Sequence, residues 1–277
     1  MRTPTEGERE KRESYLKDII GFSQEKIDKL KEKTPSLCSI KSIIEKVNGL
    51  KDRGFTNPNK MIESLPSILG LAFENIDAKI SGLKDRGFTN PNKMIESLPP
   101  ILSYGFENID TKISGLKDRG FTNPTKMIGS SPAILSYGFG NIDSKVNLLS
   151  KLSNLYRINL NPITTIESNP AILGVKFKKL IVIARVLREY QPSSDDIQRK
   201  ISILYTINLE SLLISYSQKK ANDNIDNLTN TARNIQKQKL SKEEKRQLIK
   251  DFFNQNPDSY KIYRDYLKGY PEKTQND

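Results

Sequence analysis

The sequence predicts an all-α protein, a superhelical solenoid of about five helix-pair repeats followed by a C-terminal helical extension. Three observations lead to this prediction. The 18 residues at 49–66 recur unchanged at 82–99 and with three differences at 115–132, so the period is 33 residues. Each copy places apolar residues at helical rather than alternating spacing. Finally, a period of this length is typical of helix pairs that stack, because one pair cannot cover its own apolar face.

The first helix of a repeat is expected to begin at an Asn-Pro pair such as Asn57-Pro58. Asparagine is a good N-cap, and proline is well tolerated at the first helical position. Apolar residues such as Met61 and Ile62 then form a short buried stripe. Pro66 ends the helix, because the residue before a proline is pushed out of the helical region. A tight turn with buried apolar residues follows.

The second helix is expected to run from about Glu74 to Arg86, with apolar residues at helical spacing along one side. Gly87 ends it as a left-handed C-cap, and the apolar Phe88 packs back against the helix. Cations in the last turn, such as Lys84 and Arg86, favour the negative end of the helix dipole.

Less exact copies flank the three central ones, near Gly21-Phe22, at Pro170 and through Ile197–Ser217. We therefore divide the chain into a charged N-terminal segment (1–15), a repeat array (16–217) and a basic Lys/Asn-rich helical tail (218–277). The residues up to Lys17 are expected to be frayed. In the tail, Ser241 and the glutamate three residues later form a capping box that begins a helix.

The repeat resembles that of the mitochondrial transcription termination factor (mTERF) family. The residues that carry the likeness are Gly87-Phe88, Met94-Ile95, Pro99, Ile101-Leu102-Ser103, Asn108-Ile109, Lys112-Ile113 and Leu116. The likeness extends over roughly residues 16–217. It implies a superhelical array of helix pairs, each with an added 3₁₀ turn, and nucleic-acid binding along a basic groove. In that family the ligand is commonly double-stranded DNA and sometimes RNA.

A second resemblance concerns Gly21-Phe22-Ser23-Gln24, which is similar to the start of the repeats in transcription-activator-like effectors. Those repeats read one base each through a variable pair of residues in a Gly-rich loop. The corresponding loop here holds Pro66 or Pro99, and it contains no variable pair.

Composition excludes several kinds of chemistry. The chain has no histidine, so a His-bearing zinc site and a Ser-His-Asp triad are ruled out. The single cysteine, Cys38, cannot form an internal disulfide, and we expect it to be buried in a packed turn. There is also no phosphate-binding loop motif. We expect a protein that is not an enzyme, with no cofactor and no metal.

The formal net charge of +12 arises from 45 Lys and Arg against 33 Asp and Glu. Two groups of cations are candidate nucleic-acid-binding residues. The first group repeats with the 33-residue period at the ends of the second helices: Lys51, Arg53, Lys84, Arg86, Lys117 and Arg119. The second group follows the regular repeats: Lys176, Lys178, Lys179, Arg185, Arg188, Arg199 and Lys200. The alternative explanation for the first group is the helix dipole alone.

The aspartates Asp77, Asp110 and Asp143 occur once per repeat, too far apart to make a paired-carboxylate site. We expect them to face solvent beside lysines of the same helices: Lys79, Lys112 and Lys145. The tail tyrosines leave two readings open, either capping the end of the array or stacking on unpaired bases. These tyrosines are Tyr260, Tyr263, Tyr266 and Tyr270.

Identical repeats suit a uniform target, and the sugar-phosphate backbone is uniform along a nucleic acid. The sequence therefore predicts phosphate-backbone binding, with double-stranded DNA favoured over RNA and a role in modulating transcription. The alternative is a protein-protein interaction scaffold. We expect a monomer with no membrane partner. With neither a signal peptide nor an apolar span, we expect it in a bacterial cytoplasm or an organelle matrix.

Overall fold

The computed structural model describes residues 5–33, 40–190, 194–218 and 225–268, and every regular element in these ranges is helical. The α-helices are α1 (Glu6–Tyr15), α2 (Gln24–Lys33), α3 (Ile40–Asp52), α4 (Pro58–Ser64), α5 (Phe73–Asp85), α6 (Pro91–Ser97), α7 (Phe106–Lys117), α8 (Pro124–Ser130), α9 (Phe139–Tyr156), α10 (Pro162–Ser168), α11 (Phe177–Tyr190), α12 (Ser194–Leu204), α13 (Leu209–Gln218), α14 (Ile225–Gln236), α15 (Lys242–Gln255) and α16 (Pro257–Lys268). The predicted all-α, helix-pair repeat class is confirmed. Cys38 lies outside the described residues.

Four copies of the repeat are complete: α4 with α5, α6 with α7, α8 with α9, and α10 with α11. In each copy a five-residue 3₁₀ turn separates the two helices. These turns are Pro66–Gly70, Pro99–Ser103, Pro132–Ser136 and Pro170–Gly174. The first helix has seven residues and starts at proline, as the Asn-Pro pairs predicted. The helix pairs α2–α3 and α12–α13 flank these copies.

Glycine ends the second helix of three successive pairs in the left-handed conformation. Gly54, Gly87 and Gly120 have φ values of 82°, 83° and 84°, where residues with a Cβ are strained. After the turn, Phe55 donates its backbone N–H to Leu50 O (3.2 Å), and its ring is buried. This left-handed cap therefore turns the chain sharply and brings the next first helix back against the core.

The chain forms two compact groups of residues. The first comprises Met1–Arg119 and Asn123–Leu135, and the second comprises Gly120–Thr122 and Ser136–Asp277. In the first group, fully buried side chains recur once per repeat on both helices, as with Ile62 and Ile76 at 0% exposure. From Thr5 onward, the expectation of a frayed N-terminus was wrong. Thr5 and Glu8 form a capping box at the start of α1, and the 10-residue helix continues into a π-helical turn over Leu16–Ile20.

In the second group the tail helices pack against the last repeat. Tyr266 of α16 stacks on Phe177 of α11, with ring centroids 3.4 Å apart and an interplanar angle of 22°. Tyr156 of α9 shares a buried hydrogen bond with Ser259 of α16. The predicted capping box at Ser241 is present, since its hydroxyl accepts the Glu244 N–H (3.2 Å). The tail thus covers apolar surface at the end of the array.

Within the described parts of the chain, no helix combines the length and apolar character that a membrane span requires.

Candidate nucleic-acid interface

Two arginines of the periodic group, Arg53 and Arg86, form ion pairs with the following repeat. Arg53 Nε lies 2.7 Å from Asp77 Oδ1, and its Nη2 lies 2.9 Å from Asp77 Oδ2. Arg86 repeats the bidentate arrangement with Asp110 at 2.6 and 2.8 Å. The hydrogen bond from each arginine lowers the pKa of its aspartate. The expectation that Asp77 and Asp110 face solvent is confirmed, because both are exposed. Their partner, however, is an arginine of the preceding repeat and not a lysine of their own helix.

A phenylalanine of the following repeat lies between this arginine and a lysine two turns earlier. Lys46 Nζ lies 4.0 Å from the centre of the Phe73 ring, and the Arg53 guanidinium lies 4.1 Å from it. The ring tip rests on Gly49, where an added Cβ would be only 2.1 Å from Cζ. Residues three and four apart share a face of a helix, so lysine, glycine and arginine form one groove for the ring.

The next repeat has the same groove. Lys79 and Arg86 each lie 4.2 Å from the Phe106 ring centre. An added Cβ on Gly82 would be 2.2 Å from Cζ of that ring. Such cation–π contacts are worth about 0.5–1 kcal/mol at exposed sites and more when desolvated. The repeated arrangement shows that these cations hold successive repeats together.

The lysines of these grooves are buried, and so is Lys145 at the same position of α9. Lys46 donates to Leu71 O, Lys79 to Tyr104 O and Lys145 to Val175 O. Lys79 is 8% exposed and Lys145 only 3%. Burial lowers the pKa of Lys79, and it lowers the pKa of Lys145 to about 8. The ammonium groups are satisfied by backbone carbonyls, so they are structural cations.

The lysines at the ends of the second helices remain exposed. Lys51, Lys84 and Lys117 have no ion pair in the part of the chain that the structure describes. Each is followed by an exposed aspartate, such as Asp52 after Lys51. Arg119 donates to Gly115 O at 2.9 Å, as Arg53 and Arg86 do to the glycines of their own helices. The periodic group therefore divides into structural arginines and solvent-facing lysines.

The second group of cations divides in the same way. Lys179 donates to the carbonyls of Tyr205 and Ile207, and burial lowers its pKa to about 8. Arg185 donates to the Tyr216 hydroxyl (3.2 Å) and pairs with Glu189 (2.9 Å).

Lys200 is 7% exposed and lies 3.3 Å from Asp226. Lys178 lies over the Tyr263 ring at 4.9 Å, while Lys176 and Arg188 face solvent. The side chain of Arg199 is outside the described residues. Among the described members of this group, Lys176, Lys178 and Arg188 are therefore the ones that no backbone carbonyl or carboxylate holds.

Sequence reasoning missed a second periodic set of lysines. Lys60, Lys93 and Lys126 occupy the same position of α4, α6 and α8, and all three are exposed. The signal was visible in the repeated segment itself. The helix-end lysines differ from this set in having an arginine two residues later.

Acidic positions of the repeat are lost in its last complete copy. The position of Glu74 and Glu107 is occupied by Gly140 and then by Lys178. The position of Asp77, Asp110 and Asp143 becomes the buried Ile181. The net charge accordingly rises from +2 over residues 51–146 (12 basic, 10 acidic) to +4 over 147–217 (9 basic, 5 acidic).

These features define a helical-repeat protein that presents periodic cations on its helix pairs. The profile of the mTERF family matches residues 6–153, which is 148 of the 277 residues. The chain therefore belongs to the mTERF family, a family of non-enzymatic, nucleic-acid-binding repeat proteins. A comparison with curated proteins finds no match.

Proposed function

We propose that this protein binds nucleic acid, with double-stranded DNA favoured, through contacts to the phosphate backbone, and that it thereby modulates transcription. Membership of the mTERF family supports the ligand class. The observation that carries the mode of binding is the row Lys51, Lys84 and Lys117, whose ammonium groups stay exposed while the neighbouring arginines Arg53 and Arg86 are held by aspartates. A cation repeated once per unit matches a polymer that carries phosphates at regular intervals.

The sequence identity between the central repeats limits how specifically they can recognise a nucleotide sequence. Lys51 and Lys84 lie within 18-residue segments that are the same letter for letter, so they present the same chemistry. Phosphate contacts fix position and orientation but carry no direct sequence information, whereas base contacts do. We therefore expect binding through the central repeats with little preference for sequence. Any preference would come from the divergent repeat that contains Lys176, Lys178 and Arg188.

The test is a salt-titrated fluorescence-anisotropy assay of the full chain with a duplex DNA, a single-stranded DNA and an RNA of equal length. Wild-type protein should bind, and its affinity should fall by about 0.9 log units per neutralised phosphate for each log unit of salt on duplex DNA. Charge reversal at Lys51, Lys84 and Lys117 to glutamate should weaken binding. The matched control reverses three exposed tail lysines: Lys242, Lys250 and Lys261.

Absence of binding to all three nucleic acids at low salt would refute the proposal. Equal weakening by the array variant and the tail variant would show that net charge alone, rather than the row of lysines, attracts the ligand.

A protein-binding scaffold is the second candidate, and one observation favours it. The exposed side of a second helix mixes both signs, with Glu74 and Asp85 beside Lys84. Such a mixed surface suits a folded partner of complementary charge better than a polyanion. If this function holds, charge reversal at Lys178 and Arg188 should leave partner capture intact, whereas it should weaken nucleic-acid binding.

A further inference from the structure

The exposed side of the first helices forms a polar strip without carboxylates. In α4, Asn57, Lys60 and Ser64 are spaced by three and four residues and are all exposed, so they share one face of the helix. The same three positions recur in the next two first helices. They are Asn90, Lys93 and Ser97, and Asn123, Lys126 and Ser130. We call these nine residues the first-helix strip. Each repeat thus offers one ammonium group with an amide and a hydroxyl on the same face.

The exposed side of the second helix is electrostatically less favourable to a polyanion. In α5, Asp77 is neutralised by Arg53, which directly follows α3. The remaining exposed charges are Glu74, Lys84 and Asp85, which sum to −1. Since Lys79 is buried against the next repeat, it adds little to the surface field. The first-helix strip, at +1 per repeat, is therefore the more positive of the two exposed sides.

The glutamates on the same helices form no ion pair with the strip lysines. Glu96 of α6 accepts hydrogen bonds from the Thr56 hydroxyl (3.0 Å) and the Asn57 N–H (3.1 Å) of the preceding repeat. Glu63 of α4 pairs with Lys26 at 2.9 Å. In α8 the equivalent residue is Gly129, so this helix carries no acid at all. Each of these carboxylates is therefore engaged at a junction between repeats, and Lys60, Lys93 and Lys126 have no ion pair within the described residues.

We infer that the first-helix strip is a second phosphate-binding row, with Lys60, Lys93 and Lys126 each neutralising one phosphate of the bound nucleic acid. This inference rests on the proposed function and assigns further contacts to it. The ligand chemistry is a phosphodiester backbone, because the strip offers hydrogen-bond donors and a positive charge but no apolar surface on which a base would stack. Identical strips again suit the uniform backbone rather than the bases.

Each lysine that neutralises a phosphate should add a fixed amount to the salt dependence of binding. Each neutralised phosphate contributes about 0.9 to the slope of log affinity against log salt on duplex DNA, so three contribute about 2.7. The row Lys51, Lys84 and Lys117 should contribute less to this slope, because an aspartate follows each of its lysines. The two rows can therefore be separated by measuring slopes as well as single affinities.

The test compares two triple variants of the full chain that remove the same charge. One replaces Lys60, Lys93 and Lys126 with glutamine, and the other replaces Lys51, Lys84 and Lys117 with glutamine. All six lysines are exposed, so thermal unfolding followed by circular dichroism should show native-like stability for both variants. Salt-titrated anisotropy with duplex DNA is then measured for wild type and both variants.

The inference predicts that the first-helix variant loses about 2.7 from the slope and that it loses more than the helix-end variant does. A first-helix variant that binds with the wild-type slope and affinity would overturn the inference while leaving the proposed function standing. Failure of the wild-type protein itself to bind would overturn both.

Discussion

Replacing Gly129 with glutamate should stabilise the first group of residues by completing an interrupted set of hydrogen bonds. In the preceding repeat, Glu96 accepts from the Thr56 hydroxyl, the Thr56 N–H and the Asn57 N–H. Gly129 lies 33 residues after Glu96, and its counterpart donors are on the exposed Thr89 and Asn90. An added Cβ at Gly129 would meet its nearest atom, Phe88 Cδ1, at 3.7 Å, which is an ordinary contact.

The expected rise in the free energy of unfolding of Gly129→Glu has two parts. Replacing a helical glycine gains about 0.5–1 kcal/mol from backbone entropy. Hydrogen bonds to the new carboxylate add about 1 kcal/mol in this exposed setting. The free energy of unfolding should therefore rise by about 1.5–2 kcal/mol. At about 2–4 °C per kcal/mol, Tm should increase by about 3–8 °C.

The assay is urea and thermal unfolding of the full chain followed by circular dichroism, with Gly129→Ala as the control for backbone entropy alone. The glutamate variant should exceed the alanine variant by the hydrogen-bond contribution. Equal stability of the two variants would refute the reasoning, because it would show that Thr89 and Asn90 do not donate hydrogen bonds to the new carboxylate. Glu96→Ala, which removes these hydrogen bonds from the preceding repeat, should lower the free energy of unfolding by about 1 kcal/mol.

Two further predictions concern the grooves between repeats. Gly82→Ala should lower the free energy of unfolding by about 1–3 kcal/mol, because the new Cβ overlaps the Phe106 ring. Gly140→Ala, whose Cβ would have nothing within 4 Å, should raise it by about 0.5–1 kcal/mol. If urea unfolding shows that both variants are more stable than wild type, the groove is contradicted. The pKa of Lys145 is about 8 in the folded protein against an ordinary 10.5, so the unfolded chain binds more protons between these values and the free energy of unfolding should rise with pH across that range. Lys145→Met should flatten this rise in unfolding measured from about pH 8 to pH 10, and an unchanged pH dependence would count against the burial.

The helical repeat was predictable because its signals are local. Asn57-Pro58 and Gly87 mark helix ends by backbone chemistry that a single repeat contains, and both ends lie within one or two residues of the expected positions. The contacts between repeats were not predictable in this way. Arg53 and Asp77 are 24 residues apart, and nothing in the sequence distinguishes this pairing from one between Asp77 and a lysine of its own helix.

Part of the division within the second group of cations is visible in the sequence. Helix α11 buries Ile181, Val182, Ile183, Ala184, Val186 and Leu187. A helix that is apolar nearly all round is a buried helix. Cations on such a helix need internal partners, as Lys179 and Arg185 have, unless they lie at its ends, as Lys178 and Arg188 do. Which carbonyls and hydroxyls supply those partners depends on packing that the sequence does not display.

The groove that receives each phenylalanine has a consequence for how such a chain can lengthen. One 33-residue segment, for example residues 73–105, carries both the ring that enters the previous helix and the Lys79, Gly82 and Arg86 that receive the next ring. A segment copied in register therefore brings both a phenylalanine ring and a groove that receives one. It fits between two existing neighbours without compensating changes. Growth by whole modules would add one cation to each exposed row per step, so the length of ligand covered can change while the fold of every module stays the same.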